Sequence, residues 1–228
     1  MAAIDREAAA DRAGTLGGLA WLLCLQFFLA EQIATLFWRG SYSFARNFIS
    51  DLGAGCPLQG ATGCAGWPAL MNGSFVLQGI LIGAGALLLW RRASGLAERL
   101  GLLFAAISAP GVFLVGLFPE DAAPSIHHDA AAVHFVALSL SAFCFAAALR
   151  TRGERALPFA VLSLIAALTG TTGTALLGLH MDLGFGAGAV ERLVAYPFPI
   201  WLAALGLGYR GGQLDATEAI PITEPTNG

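Results

Sequence analysis

Charge is scarce in this chain, and lysine is absent altogether. All 12 basic residues are arginines, charged residues make up 12% of the 228-residue sequence, and the formal net charge is −3. A soluble domain usually carries about 25% charged residues. The sequence also lacks the run of basic residues that a nucleic-acid-binding surface needs. We therefore expect neither a typical soluble domain nor a nucleic-acid partner.

Apolar residues are correspondingly abundant, at 57% of the chain with a mean hydropathy of +0.70. A chain of this size cannot bury so much apolar surface in its own core, so lipid must cover part of it. A helix needs about 20 apolar residues to cross the hydrocarbon of a bilayer. Six runs reach that length, at residues 16–38, 69–90, 100–118, 131–149, 157–179 and 193–209.

These runs predict an all-α, polytopic membrane protein with a six-helix bundle over residues 16–210. Residues 1–15 and 211–228 are predicted to be tails, the second of them disordered. With both tails cytoplasmic, nine arginines lie inside and three lie in the outer loops 39–68, 119–130 and 180–192. Arginine is enriched on the cytoplasmic side of membrane proteins, so this orientation is the predicted one.

Histidines and acids concentrate on the predicted outer side. The stretch 119–134 holds three of the four histidines between two apolar runs. All four fall in outer loops or in the outer half of a run: His127, His128, His134 and His180. Six acids share that side: Asp51, Glu120, Asp121, Asp129, Asp182 and Glu191. A functional site, if the protein has one, is therefore expected on the outer face.

The loop 39–68 contains an apolar pattern at helical spacing and a pair of cysteines. Phe44, Phe48 and Leu52 recur at helical spacing, which predicts a short amphipathic or re-entrant helix. Cys56 and Cys64 follow within a Gly-rich segment. They are either two free thiols or a disulfide, and an oxidising compartment favours the disulfide.

The element Arg46-Asn47-Phe-Ile-Ser50-Asp51-Leu-Gly53 is distinctive. Together with Asn72, Phe-Pro119, the His-rich start of the fourth run and Glu191-Arg192, it resembles a bacterial and archaeal six-helix membrane family. That family is catalogued as domain of unknown function 998. The resemblance implies the six-span fold and a cluster of polar residues on one face, without naming a reaction. We expect a multi-pass protein of the bacterial inner membrane with its functional face extracytoplasmic.

A more distant likeness is to seven-helix lipid hydrolases, which place Ser, Asp and three His around a zinc ion. This chain has those residue types but only six apolar runs and no His-x-x-x-His pair. Zinc ligands on one helix usually sit three or four residues apart, whereas His127 and His134 are separated by seven, or about 10 Å. A zinc site would therefore need several segments, with His127, His128, His180 and Asp121 as candidate ligands. Alternatively, His127 and His128 are solvated residues at a helix start.

Glu31 lies inside the first apolar run. A carboxylate in lipid costs about 2.5 kcal/mol or more, so Glu31 must be protonated, paired or in a wet pocket. Arg46 and Arg192 are its candidate partners. The pair would either lock helices together or form part of a functional pocket.

We predict an outer cavity that takes either the anionic or amide-bearing headgroup of a membrane lipid, or a polyprenyl or quinone-like molecule. If the protein is an enzyme, hydrolysis or acyl transfer suits these side chains. The candidate catalytic residues are His134, His128, Asp51 and Ser50. The candidate binding residues are Glu31, Arg46, Asn47, Asn72, Glu191 and Arg192. The alternative is a non-catalytic protein for lipid binding, transport or scaffolding.

Overall fold

The computed structural model describes residues 2–56 and 63–214, with side chains from residue 12 onward. Eight helices lie in these ranges: α1 (Ala2–Leu22), α2 (Gln26–Leu36), α3 (Pro68–Leu89), α4 (Leu96–Leu117), α5 (Pro124–Leu149), α6 (Leu157–Gly178), α7 (Ala187–Ala195) and α8 (Pro197–Arg210). A 3-10 turn joins α1 to α2, and α7 leads directly into α8. The predicted tail beyond Leu214 lies outside the described residues.

Six segments of this helical bundle are long and apolar enough to cross a membrane. The first combines α1 with α2 over Arg12–Leu36, and the last combines α7 with α8 over Ala187–Arg210. The predicted six-span, all-α class is therefore confirmed. The start of several helices follows from sequence, because proline is tolerated in a first helical turn and opens α3, α5, α6 and α8.

Close helix packing depends on glycine where α1 crosses α8. A Cβ atom on Gly18 would lie 2.5 Å from the Gly206 carbonyl oxygen, and one on Gly206 would lie 2.3 Å from the Gly18 oxygen. Only residues without a side chain allow two backbones to approach so closely. Beside this crossing, Trp21 packs edge-on against Phe145, which brings α5 into the same core.

One end of the bundle, here called the site end, carries residues 37–56, 63–67, 118–123 and 179–186. Two short antiparallel strands, β1 (Trp38–Gly40) and β2 (Gly63–Ala65), close the base of the first loop. Cys56 and Cys64 are joined by a disulfide there, with Cα atoms 5.3 Å apart.

The helix predicted from Phe44 to Leu52 is wrong. The segment forms a turn followed by a 3-10 turn over Ser50–Gly53. Side chains compete here for backbone hydrogen bonds: the Ser43 amide donates to Asn47 Oδ1 over 3.1 Å, and the Phe48 amide donates to Asp51 Oδ2 over 2.9 Å. Asn and Asp commonly replace helical bonding in this way.

The opposite end holds a buried ionic network. Glu98, fully buried at the start of α4, accepts hydrogen bonds from Arg152 and from the Tyr209 hydroxyl. Arg152 Nη1 also donates to the Leu214 carbonyl over 2.6 Å. This network ties the start of α4, the α5–α6 connection and the end of α8 together.

Candidate functional site

A cavity of about 60 Å³ extends into the bundle from the site end. Its apolar wall comes from α2, α3, α4, α5, α7 and α8 and includes four phenylalanines, Phe27, Phe75, Phe135 and Phe198. Five polar side chains also line it: Ser50, Gln78, His127, His134 and Glu191. The cavity thus combines an aromatic wall with polar groups that belong to distant parts of the sequence.

His134 lies deep in this cavity and is only 7% exposed. Its Nδ1 atom is 3.2 Å from the carbonyl oxygen of Ser108 on α4. A carbonyl can only accept, so Nδ1 carries the proton and Nε2 is left as an acceptor. Within residues 12–56 and 63–214, no group hydrogen-bonds to that Nε2 atom.

Gln78 on α3 is the second deep polar group, and it is 3% exposed. Its Oε1 atom accepts a hydrogen bond from Gln26 Nε2 over 3.1 Å. Gln26 in turn accepts from the Ser74 hydroxyl over 3.0 Å. These contacts orient the Gln78 amide, whose nitrogen has no hydrogen-bond partner in the described part of the chain.

Carboxyl groups gather at the shallow side of the cavity. Glu191 accepts hydrogen bonds from the Ile49 amide and, over 3.5 Å, from the Ser50 hydroxyl. Burial raises the pKa of Glu120 to about 8, and the neighbouring carboxyls of Asp51 and Glu191 act in the same direction. A hydrogen bond from Ser50 opposes this shift of the Glu120 pKa. This side of the cavity therefore favours protons and hydrogen-bond donors.

The buried guanidinium of Arg192 is fully engaged by the protein. Nε and Nη2 donate to Glu31 Oε1 over 3.1 and 2.9 Å, and Nη1 donates to the carbonyls of Phe44, Asn47 and Gly188 over 2.7, 2.8 and 3.0 Å. The Tyr42 hydroxyl accepts a further bond from Nη2, and burial raises the pKa of that phenol. Arg192 is thus the partner of Glu31, and it anchors the first loop onto α7.

Two other predicted binding residues hold the first loop in place. Asn72 Nδ2 donates to the Gly53 carbonyl over 2.8 Å. Asn47 Nδ2 donates to Asp51 Oδ2 over 3.2 Å. Both bonds join polar groups of the loop to the bundle or to each other, so these asparagines shape the rim of the cavity without lining it.

The predicted zinc ligands do not form a metal-binding group. His127 lines the cavity, and its Nδ1 atom bonds the Phe118 carbonyl over 2.9 Å. His128, His180 and Asp121 are exposed, as is the predicted binding residue Arg46. Asp121 accepts a hydrogen bond from the Gly55 amide over 2.8 Å. Among the residues with described side chains, no three His, Cys, Asp or Glu are grouped so that they could hold a metal ion.

Sequence reasoning missed Gln78, and with it the pairing partner Gln26. A signal was present, since each is an amide well inside an apolar run and polar groups within spans usually face a cavity or a polar partner. Glu120 was recognised only as an outer acid. Its closeness to Asp51 and Glu191 depends on how the first loop folds onto the bundle.

A family model described as "Protein of unknown function (DUF998)" matches residues 15–208. This match covers all six apolar segments almost completely. Comparison with curated proteins gives no match, and comparison with solved structures gives none either.

Proposed function

The chain belongs to the DUF998 family of membrane proteins, and we propose that it binds the headgroup of a membrane amphiphile in the cavity at the site end. One observation carries this proposal: polar side chains from α3, α5, α7 and the first loop meet inside an otherwise apolar cavity. Ligand sites typically combine an apolar wall with a few convergent polar groups. The surrounding lipid would supply such a ligand directly.

The charged side chains at the cavity favour a headgroup that carries no negative charge. The two arginines expected to bind an anion do not face the ligand. The guanidinium of Arg192 donates all its hydrogen bonds to protein acceptors, and Arg46 is exposed and does not line the cavity. Glu191 lines the cavity, and Asp51 and Glu120 stand beside it. A phosphate or carboxylate finds no available cation here and is repelled by any of these carboxyls that is ionised, which costs free energy.

We place the site end on the extracytoplasmic face of the bacterial inner membrane. The uneven distribution of arginine supports this orientation: nine arginines belong to the opposite end and three to the site end. Arginine is enriched on the cytoplasmic side of membrane proteins. The Cys56–Cys64 disulfide supports it independently, because disulfides persist in oxidising compartments.

Lipid retention during purification tests the binding proposal. Ala131 lines the cavity, whereas Ala132 on the same helix is exposed to the surroundings. We expect native mass spectrometry in mild detergent to detect a retained lipid on the wild type and on Ala132→Leu, and little on Ala131→Leu. Equal retention by the two variants, or none by the wild type, would count against the cavity as a lipid site.

Lipid hydrolysis or acyl transfer is the second candidate. It is favoured by one observation, that Ser50, His127 and His134 line the same cavity, which offers a hydroxyl and two imidazoles to one ligand. In that mechanism an imidazole acts as general base and Ser50 as the group that is activated.

Loss of turnover without loss of binding would identify catalysis. Membrane lipid extracts incubated with wild type should then release fatty acid or exchange acyl chains, and Ser50→Ala should abolish this while retaining lipid. Ser125→Ala is the matched control, because Ser125 is exposed at the start of α5. If wild type changes no lipid species, the non-catalytic role stands.

A further inference from the structure

The deep part of the cavity contains an unpaired donor and an unpaired acceptor. The donor is the Gln78 amide nitrogen and the acceptor is His134 Nε2, and neither has a hydrogen-bond partner in the described part of the chain. Their side chains are 3% and 7% exposed, and both line the cavity. Both atoms keep some accessible surface, so an occupant of the cavity can bond to them, and one that satisfies both groups is favoured over one that satisfies neither.

Each unpaired group is held in position by a second contact. The Ser108 carbonyl accepts from His134 Nδ1, which fixes the imidazole as an acceptor at Nε2. Gln26 donates to Gln78 Oε1, which leaves the amide nitrogen of Gln78 toward the cavity as a donor. The pair is thus ready to recognise a group that both accepts and donates a hydrogen bond.

Few small groups have both properties. A quinone or ester carbonyl only accepts, an ammonium only donates, and a carboxylate or phosphate brings charge toward Glu191. A hydroxyl accepts from an amide and donates to an imidazole. The volume of about 60 Å³ exceeds what a single water needs and has room for a terminal hydroxymethyl group.

We propose that the cavity binds the hydroxyl end of an uncharged amphiphile, such as a long-chain primary alcohol or a diacylglycerol, between Gln78 and His134. The four phenylalanines of the wall then contact the carbon atoms next to the hydroxyl. This inference rests on the proposed headgroup-binding function and specifies its ligand class.

Three short-chain lipids distinguish the ligand classes: 1,2-dioctanoylglycerol, the same molecule acetylated at its free hydroxyl, and dioctanoyl phosphatidic acid. We expect the full-length protein in detergent to bind the diacylglycerol roughly tenfold more tightly than either of the others, which is the loss expected for one or two missing hydrogen bonds. Equal binding of the alcohol and its acetate would overturn the proposal.

Two variants locate the hydroxyl. Gln78→Met should weaken diacylglycerol binding about tenfold with little change for the acetate. Gln32→Met is the matched control, because Gln32 is exposed on α2 and does not line the cavity. An effect of Gln32→Met on the alcohol–acetate ratio as large as that of Gln78→Met would contradict the assignment.

A measurement on wild type avoids variants that fail to fold. The chain has four histidines, so the side-chain nitrogens of ¹⁵N-histidine-labelled protein can be followed individually. Diacylglycerol should shift the Nε2 resonance of His134, and the acetate should leave it unchanged. An unchanged Nε2 resonance at saturating diacylglycerol would mean that water alone occupies the deep cavity, and would overturn the inference.

The outcomes separate this inference from the proposed function. If Ala131→Leu loses lipid but the alcohol and the acetate bind equally, the cavity binds lipid without recognising a hydroxyl, and only the further inference fails. If Ala131→Leu retains lipid and no probe binds, both proposals fail.

Discussion

Arg192 donates two hydrogen bonds to a single oxygen of Glu31, over 3.1 and 2.9 Å. The two residues are 161 positions apart in sequence, so this contact joins the first membrane segment to the last. Glu31 is fully buried and also accepts from Tyr196 over 2.8 Å. The same guanidinium holds the first loop through the carbonyls of Phe44 and Asn47, so one side chain fixes both the bundle and the rim of the cavity.

Replacing Arg192 with glutamine should therefore destabilise the fold strongly. Removing one partner of a buried ion pair leaves an uncompensated charge and costs about 3–5 kcal/mol. Thermal unfolding in detergent measures the loss. Arg46→Gln serves as control, because Arg46 is exposed, and should change stability by less than about 0.5 kcal/mol.

The double variant Glu31→Gln with Arg192→Gln separates charge from packing. It should be more stable than Arg192→Gln alone, since no unpaired charge remains. A double variant that is less stable than the single one by the full cost of Glu31→Gln would show that the ion pair is not what Arg192 contributes.

Gly188 on α7 allows the first loop to lie directly on that helix. A Cβ atom there would be 2.1 Å from the Asn47 carbonyl oxygen and 2.9 Å from that of Phe44. Both are backbone atoms that cannot rotate away, so Gly188→Ala should cost about 1–3 kcal/mol. Gly73→Ala on α3 is the matched control, because nothing lies within 4 Å of its Cβ position. It should stabilise by about 0.5–1 kcal/mol. Equal thermal shifts for the two variants would argue against tight docking of the loop.

The architecture was predictable because each span is a long apolar run, and such runs have few alternatives to a membrane helix. The partner of Glu31 was narrowed only to Arg46 or Arg192. The choice between them depends on tertiary structure: Arg192 lies on the buried side of α7, whereas Arg46 lies in an exposed turn. The helix expected in the first loop does not form, because the side chains of Asn47 and Asp51 accept hydrogen bonds from nearby backbone amides.

The residues that line the cavity could be predicted only in part from the sequence. His134 was expected to face a cavity, since an imidazole within an apolar run needs a polar environment, and it does line one. Gln78 was overlooked because a single amide barely lowers the hydropathy of its run. Its role depends on Gln26, which donates to it from α2, and on the cavity that it shares with His134.

Stability should depend on pH through Glu120. Its pKa is raised from the ordinary 4.5 to about 8, first by burial and then by Asp51 and Glu191, with Ser50 acting against the shift. The folded state therefore binds more protons than the unfolded state between these values. The stabilisation is complete below about pH 4.5 and is lost as pH rises through about 8. Unfolding temperatures measured from pH 5 to 9 should fall for wild type.

Glu120→Gln should flatten that decline, because a neutral amide does not titrate. Glu154→Gln at the opposite end, where Glu154 is exposed, should leave the pH profile unchanged. A profile that declines equally in wild type and Glu120→Gln would assign the dependence to another group.

Membrane orientation can be tested with two single cysteines at exposed positions. Ser41 lies in the first loop at the site end, and Thr151 lies in the α5–α6 connection at the opposite end. Cys24 is buried and Cys144 is half-buried within the bundle, so neither should compete strongly for reagent. A membrane-impermeant maleimide should label Ser41→Cys in intact cells and Thr151→Cys only after permeabilisation. The reverse pattern would place the carboxylates and the disulfide in the cytoplasm, against the arginine distribution and against the reducing conditions there. Orientation thus decides from which compartment a ligand reaches Glu191 and the cavity below it.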